Sequence, residues 1–423
     1  MNRSRIGPMG AHGRNFPAGG TFVGSRTASN VTKLDRWLLT QLSARFDDSR
    51  LRLVLWNTPA AICKNPLPVT LRIGDRRALL QLISNPQMHF GDLYSSGRIT
   101  ISGDLQVVLD EAYRSLANRP PPAPWIARVR AKTPDLSDSR RNIHHHYDIG
   151  NDFYTLWLDR EGLQYTCAYY ADQAMTLEQA QLAKMHHVCR KLRLDRGERV
   201  VEAGGGWGGF ALFMAKHYGV TVRSFNISAE QIAWSREWAE RENLGSQVEF
   251  VEDDYRSMSG NFDAFVSIGM LEHVGVGNYA GLGKLIHRVL KPGGRGLLHS
   301  IGRDRSEPLN PWIARRIFPG AYPPTLREMM EIFETNRFSV LDVENIRLHY
   351  ARTLRHWLER YEENLETVQS MFDDSFARAW RLYLAGSAMA FTHGKLQLFQ
   401  VLFTRSGANS IPWTRDHLYQ AVD

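Results

Sequence analysis

The chain of 423 residues, 43% hydrophobic and 23% charged with 34 Gly and 18 Pro, is long enough for two or three domains at about 150 residues each. That excludes a disulfide-stapled miniprotein, a disordered chain and a collagen-like polymer. Its three cysteines, Cys63, Cys167 and Cys189, are odd in number and widely spaced, which gives neither a disulfide framework nor a Cys-rich zinc module and fits a reducing cytoplasm. The net charge of +8 is concentrated, with +5 in residues 1–34 and +4 from Arg119 to Asn142, and the remainder at −1.

Basic segments of this kind suit a polyanion, either an anionic membrane surface or nucleic acid, and they equally suit solvated segments with no partner. No stretch reaches the roughly 18 apolar residues that span a bilayer. The chain also opens without the apolar core of a secretory signal, so it is expected neither to cross a membrane nor to be secreted.

Residues 1–30, rich in Gly, Ser, Arg and Asn without periodicity, read as a disordered basic tail. From 31 to 118 the pattern predicts a small α+β domain, with helices over 34–42, 75–82 and 105–116 and strands at 51–55, 69–73 and 99–101. Arg119-Pro120-Pro121-Pro122-Ala123-Pro124 cannot continue a helix, because proline lacks the amide donor, so a Pro-rich basic linker is placed at 119–141. The remainder, 142–423, reads as the catalytic domain. Helices are predicted at 176–192, 209–217, 229–242 and 279–290, and strands at 199–203, 220–225, 248–251, 264–268 and 296–301. This alternation implies an α/β fold, a doubly wound, mostly parallel sheet with helices on both faces, beside the smaller amino-terminal α+β domain.

Gly204-Gly205-Gly206-Trp207-Gly208-Gly209 lies where the first strand of that sheet feeds a helix, so backbone can approach a ligand with no Cβ in the way. As a bare pattern, Gly204, Gly206 and Gly209 also satisfy the dinucleotide fingerprint. A dinucleotide fold wants an acid at the end of the second strand, where this chain has Ser224-Phe225-Asn226. The acid here is Glu202, just before the glycines, as in S-adenosylmethionine-dependent methyltransferases.

Several ordered segments together resemble the cyclopropane fatty acid synthase family, which includes the mycolic acid cyclopropane synthases. They are His146 to Tyr154, Gln164-Tyr165-Thr166-Cys167-Ala168-Tyr169, Glu202 to Gly209, Ile227-Ser228-Ala229-Glu230-Gln231, Gly269-Met270-Leu271-Glu272-His273-Val274-Gly275, Leu297 to Gly302 and Gln397 to Val401. Order and spacing match over residues 142–405. The resemblance implies a Rossmann-like class I methyltransferase domain in which Tyr165, Thr166, Gly204, Gly206, Asn226, Ile227, Gln231, Tyr255 and Arg256 line the S-adenosylmethionine pocket. It further implies that Cys167, Glu272, His299, Ile301 and Tyr350 surround a bound bicarbonate. The implied substrate is an unsaturated phospholipid in a membrane surface, handled in part by the amino-terminal domain. A cytoplasmic protein, peripheral to the inner face of the membrane and dimeric, is the matching expectation.

The implied reaction joins a sulfonium methyl to an acyl-chain alkene and closes a cyclopropane. An alkene is a poor nucleophile, so positioning must supply much of the acceleration. The carbocation that results needs a dry site and aromatic faces, a role open to Tyr169, Tyr170, Trp312, Phe318 and Tyr350, each of which also suits core packing. Loss of a proton then requires a base. Bicarbonate serves if Glu272 takes its hydroxyl proton while His299, the Tyr350 hydroxyl and an amide near Cys167 or Ile301 hold its oxygens. Glu272 follows the fourth strand and His299 ends the fifth, which puts both at the carboxyl edge of the sheet. A hydride shift and a different proton loss would instead leave a methyl or methylene branch.

Departures from the family pattern are Gly205 for a usual Cys, Glu202 for a frequent Asp, Ser387 where some members carry Cys, and an altered segment at 318–324. The run His144-His145-His146 with Asp148 lacks metal-ligand spacing, and no metal is expected. A base-modifying enzyme of nucleic acid is disfavoured, since Gly269 to His273 replaces the Asn/Asp-Pro-Pro-aromatic motif, and no nucleic-acid partner is expected. Leu354, Trp357, Leu358, Tyr361 and Leu365 have helical spacing and read as a core-facing helix or a lid over lipid.

Overall fold

The computed structural model describes residues 30–47, 49–58, 68–117 and 149–419. The basic tail, the Pro-rich linker, the histidine run and Cys63 lie outside them. The described residues form two compact units. One takes in residues 30–117 together with 310–317 and 358–389, and the other holds 149–309, 318–357 and 390–419.

In the first unit, β1 (Leu51–Leu55), β2 (Val69–Ile73) and β3 (Ile99–Ser102) form a sheet in that order, with β1 parallel and β3 antiparallel to β2. Alternate residues of β1 and β2 are buried, as the period-2 pattern requires. The helix Lys33–Ser43 starts at a capping box of Thr32 and Asp35, and buried Asp35 pairs with Arg76 at 2.7 Å. That guanidinium holds the Asp35 carboxyl well below the usual range. Asp75 caps the helix Arg76–Ser84. A helix absent from the sequence reading, Pro86–Ser95, follows without a loop, because Asn85 ends one helix and caps the next with Pro86 in its first turn.

The segments 310–317 and 358–389 were assigned by sequence to the catalytic domain, and they cluster instead with this first unit. The cause is side-chain packing. The Trp312 ring fills the space left by Gly91, where a Cβ would come within 2.3 Å of it, and its Nε1 donates to Asp92 Oδ1 at 3.1 Å. Arg316 grips the same carboxylate through two bonds of 3.0 Å, and Arg378 Nε donates to the Ser95 carbonyl at 2.9 Å. Trp312 is therefore committed to packing in this unit.

The second unit is built on a seven-stranded sheet of order β6-β5-β4-β7-β8-β10-β9. Its strands are β4 (Arg199–Ala203), β5 (Thr221–Asn226), β6 (Val248–Glu252), β7 (Phe262–Ile268), β8 (Leu290–Gly302), β9 (Phe338–Asn345) and β10 (Gln397–Arg405). All neighbours are parallel except β10, which runs antiparallel to both β8 and β9. The chain leaves β4 in one direction through β5 and β6 and returns to its other side as β7, so the strand order reverses at β4.

Consecutive residues of β4 serve opposite faces. Val200 packs with Phe210, Phe213, Val222 and Leu192, whereas Val201 packs with Phe225, Phe265, Ile286 and Ile332. Burial on both faces is why these strands read as continuous apolar runs. The predicted helix at 279–290 ends at Val289 because Leu290 already begins β8, and the predicted helix spanning Leu354 to Leu365 breaks at Asn364.

The helix Leu177–Leu192 opens with a reciprocal capping box of Thr176 and Gln179 and buries Lys184, His187 and Lys191 along with its apolar face. Thr176→Ala removes the cap acceptor and is expected to lower the unfolding free energy by about 1 kcal/mol, read as a shifted urea midpoint at unchanged slope.

Candidate active site

The end of β4 shapes a turn with a filled floor and an open top. Gly204 and Gly206 have φ of +85° and +54°, where side chains are disfavoured. The amides of Gly204 and Gly205 both donate to the Phe225 carbonyl, at 2.9 and 3.2 Å, which ties the turn to β5. Beneath it Ser224 Oγ donates to the buried Glu202 carboxylate at 2.6 Å, and burial pushes that carboxyl up to about 7. A Cβ on Gly205 would stand 2.0 Å from Ser224 Oγ, but one on Gly206 would meet nothing within 4 Å.

Asn226 ends β5, and its Nδ2 donates to the Gly206 carbonyl at 3.0 Å and to Gln231 Oε1 at 2.8 Å. Gln231 Nε2 is buried and has no protein partner. Ile227 is half-buried beside Ser228, which caps the helix Ala229–Arg241. The next loop is joined to this one, since the Asp253 amide donates to the Asn226 carbonyl at 3.1 Å. It carries Tyr255 and Arg256, with the guanidinium 5.0 Å from the ring centre and Nη1 3.1 Å from Asp254 Oδ2. Burial raises the Tyr255 hydroxyl to about 12.

A second wall comes from residues 159–168. Asp159 accepts the amides of Gly162 and Gln164 at 2.7 and 2.8 Å, and buried Lys184 donates to Gln164 Oε1 and, at 3.0 Å, to Thr166 Oγ1. Desolvation lowers the Lys184 ammonium to about 8. Tyr165 lies 5.4, 5.3 and 5.4 Å from the rings of Tyr154, Trp157 and Trp357. Trp357 in turn meets Tyr350 edge-on at 5.9 Å, and Tyr350 also packs on Phe391 at 4.6 Å. One aromatic cluster thus joins Tyr165 to Tyr350. Cys167 is fully buried, its thiol donates to the Ala168 carbonyl at 3.1 Å, and burial pushes its pKa well up, which makes it a poor nucleophile.

The carboxyl ends of β7 and β8 bring the predicted acid and imidazole to the same edge. The Gly269 amide donates to the His299 carbonyl at 2.8 Å, which extends the β7–β8 ladder past Ile268. The following turn, Leu271–His273, sets Glu272 over the end of β8. There the Ile301 amide donates to Glu272 Oε1 at 2.6 Å, while Oε2 is buried with no partner. Burial raises this carboxyl to about 7. His299 Nδ1 lies 3.1 Å from Gln400 Nε2, and its Nε2 is buried without a partner. Desolvation, with Lys184 and Lys191 adding to it, lowers the imidazole to about 3. The Tyr322 amide donates to the Glu272 carbonyl at 2.8 Å, fastening the altered 318–324 segment to this turn.

The other proposed aromatic groups have neighbours of their own. Tyr169 is stacked between His187 at 4.1 Å and His349 at 4.9 Å, the Arg352 guanidinium lies 4.5 Å above Tyr170, and Phe318 approaches His273 at 6.2 Å. Lys184, Asp159 and Gln400 were not singled out from sequence. The available signal was a polar residue at a core-facing position, as with Lys184, His187 and Lys191 on one helix face.

The open space over Gly206 and the buried, unpartnered amide of Gln231 fit a ligand with polar groups seated on the turn where the strand order reverses, and the match to a family model and to solved cyclopropane synthases gives the class: an S-adenosylmethionine-dependent methyltransferase. Residues 135–401 match the family described as mycolic acid cyclopropane synthetase, and the chain belongs to that family. It is 34% identical over 384 residues to a probable fatty acid methyltransferase of Pseudomonas putida, covering 88% of this chain and 96% of the relative. With the cyclopropane-fatty-acyl-phospholipid synthase of Escherichia coli it shares 39% identity over 267 residues, 63% of this chain and 68% of that one. Among solved structures, cyclopropane synthase MmaA2 of Mycobacterium tuberculosis superposes with a TM-score of 0.61 at 29% identity, over 64% of this chain and all of that one (100%). Mycolic acid cyclopropane synthase CmaA1, complexed with SAH and CTAB, gives 0.60 at 28% identity over 63% and 98% of the two chains.

Burial holds the Glu202 carboxyl above its ordinary 4.5, so the folded state favours the protonated acid. The stability this contributes is full below about pH 4.5 and is lost as pH rises through about 7. Glu202→Gln stays neutral and still accepts from Ser224. It is expected to gain on wild type by on the order of 2–3 kcal/mol between pH 5 and pH 8, measured by urea unfolding at each pH.

Proposed function

We propose that this protein adds the methyl carbon of S-adenosylmethionine to the double bond of an unsaturated phospholipid acyl chain and closes a cyclopropane ring. The carrying observation is the pair of unpartnered, buried polar atoms at the strand ends, Glu272 Oε2 and His299 Nε2. Buried polar groups are ordinarily paired, so two at one sheet edge mark a place where a small polar ligand is received. The likeness to the cyclopropane-fatty-acyl-phospholipid synthase of Escherichia coli supports the substrate class.

Bound S-adenosylmethionine supplies an electrophilic methyl on a sulfonium. Gly204 and Gly206 let it approach the backbone, Gln231 offers its amide nitrogen while Asn226 orients that amide through Oε1, and Tyr165 and Thr166 form the facing wall. Bicarbonate is the small ligand we assign to the strand ends, where it would supply a base. Glu272 is suited to take its hydroxyl proton, because the Ile301 amide fixes Oε1 at 2.6 Å and leaves Oε2 for that purpose. The residues proposed around it are Glu272, His299, Tyr350, Ile301 and the Cys167 segment. Aromatic rings at Tyr165, Trp357 and Tyr350 exclude water and present π faces to a developing carbocation.

We further propose peripheral association with the inner face of a membrane through the basic segments at 1–34 and 119–142. Among the described residues no helix is long and apolar enough to cross a membrane. A second product, a methyl- or methylene-branched chain, is favoured by the likeness to the probable fatty acid methyltransferase of Pseudomonas putida and to a tuberculostearic acid methyltransferase from Mycobacterium tuberculosis.

Purified protein incubated with methyl-labelled S-adenosylmethionine and unsaturated phospholipid vesicles is expected to place label in the acyl fraction, with mass spectrometry separating a ring from a branch. Glu272→Gln is expected to lower kcat by roughly 100- to 10,000-fold while cofactor affinity, read by calorimetry, stays at the wild-type value. Unlabelled lipid with wild type overturns the reading, and equal turnover by both proteins removes Glu272 from the chemistry.

A further inference from the structure

The register of the sheet sets three polar side chains in one row. β8 and β10 pair His299 with Gln400, and β10 and β9 pair Gln400 with Glu344, so all three leave the same face. His299 and Gln400 are 2% and 0% exposed. Gln400 Nε2 sits 3.1 Å from His299 Nδ1. Glu344, at the end of the row, is already engaged by His187 Nε2 at 2.8 Å and Lys191 Nζ at 2.6 Å.

The charged groups acting on the imidazole are Lys184 and Lys191 from the helix Leu177–Leu192 and Glu344 from β9. Two cations and deep burial against one committed anion keep the ring neutral. A neutral imidazole carries one proton, on one nitrogen or the other, and an amide nitrogen can only donate. The ring nitrogen facing Gln400 Nε2 must therefore accept, which sends the proton to the opposite nitrogen, the one with no protein partner.

We propose that Gln400 is a positioning residue that fixes His299 in the Nε2–H tautomer, so that His299 presents a neutral hydrogen-bond donor to an anion at the strand ends. On this assignment His299 is not a general base, and proton removal falls to the Glu272 side of the site. The inference rests on the methyl-transfer reading only for the identity of that anion; the tautomer follows from the geometry of the free enzyme.

Selective nitrogen-15 labelling of histidine in the full-length protein, with His299→Gln to assign the signal, reads the tautomer directly. The expected spectrum of wild type shows His299 protonated at Nε2 and bare at Nδ1. Gln400→Met, similar in length and without a donor, is expected to let the Nδ1–H form appear and to lower kcat by roughly 10- to 100-fold. That is less than the roughly 100- to 1,000-fold typical when an oriented donor is lost outright. Cofactor affinity is expected not to move. A wild-type His299 protonated at Nδ1 overturns the proposal even if the variant fails to fold, and so does a folded Gln400→Met whose tautomer and kcat match wild type. The spectrum needs no substrate, so a wild type that labels no lipid would remove the proposed function and leave this assignment to be judged by its own signal.

Discussion

The site depends on one short hydrogen bond, from the Ile301 amide to Glu272 Oε1 at 2.6 Å. It is a bond between the ends of adjacent parallel strands. β7 and β8 stay in register to Ile268 and His299, the Gly269 amide adds one more rung to the His299 carbonyl, and the tight turn at Leu271–His273 then folds the glutamate back over β8. The bond fixes one carboxylate oxygen and leaves the other without a protein partner. The Tyr322 amide clamps the same turn from the far side through the Glu272 carbonyl.

Burial moves the neighbouring acid and imidazole toward neutrality from opposite directions. Glu272 is raised to about 7 and His299 is lowered to about 3. Near neutral pH the imidazole carries no charge, and the carboxyl is poised between its two forms. An anion arriving at the strand ends therefore meets a donor without a fixed ion pair to break, and meets an acid able to change its proton count. The arrangement is an electrostatic consequence of placing polar residues on a sheet face whose neighbouring positions are filled by Val266, Ile268, Leu297 and Leu402.

The strands β4 to β8 and the helices between them were readable from period and apolar run, because each is buried on both faces or on one clear stripe. The placement of Glu272 and His299 at one carboxyl edge was readable from the strand pattern, and the family resemblance with the ligand-binding habit of that edge in open α/β sheets is what singled them out. What escaped the sequence was set by partners far along the chain. Gln400 acquires meaning only beside His299, 101 residues earlier, and β9 and β10 add to the sheet in an order that local pattern does not reveal. Lys184 looks like any helix lysine until its ammonium is found beneath Gln164 and Thr166. Trp312 was open by sequence either to facing a carbocation or to core packing, and Gly91, far earlier in sequence, is what claims it.

The departures from the family pattern at the glycine turn are two halves of one packing arrangement. Glu202, one methylene longer than the frequent Asp, reaches the Ser224 hydroxyl at 2.6 Å beneath the turn. The position directly above is Gly205, where a Cβ would come 2.0 Å from Ser224 Oγ and 3.0 Å from Glu202 Oε2. A side chain at 205 therefore meets the Ser224 hydroxyl first and the Glu202 carboxylate behind it. The top of the turn at Gly206 is clear, and its carbonyl is held by Asn226. A change that enlarged residue 205 would have to displace Ser224, and through it the only hydrogen bond from a side chain that the Glu202 carboxylate has among the described residues. The turn is therefore filled on one side, where Gly205 meets Ser224 and the buried acid, and open on the other at Gly206.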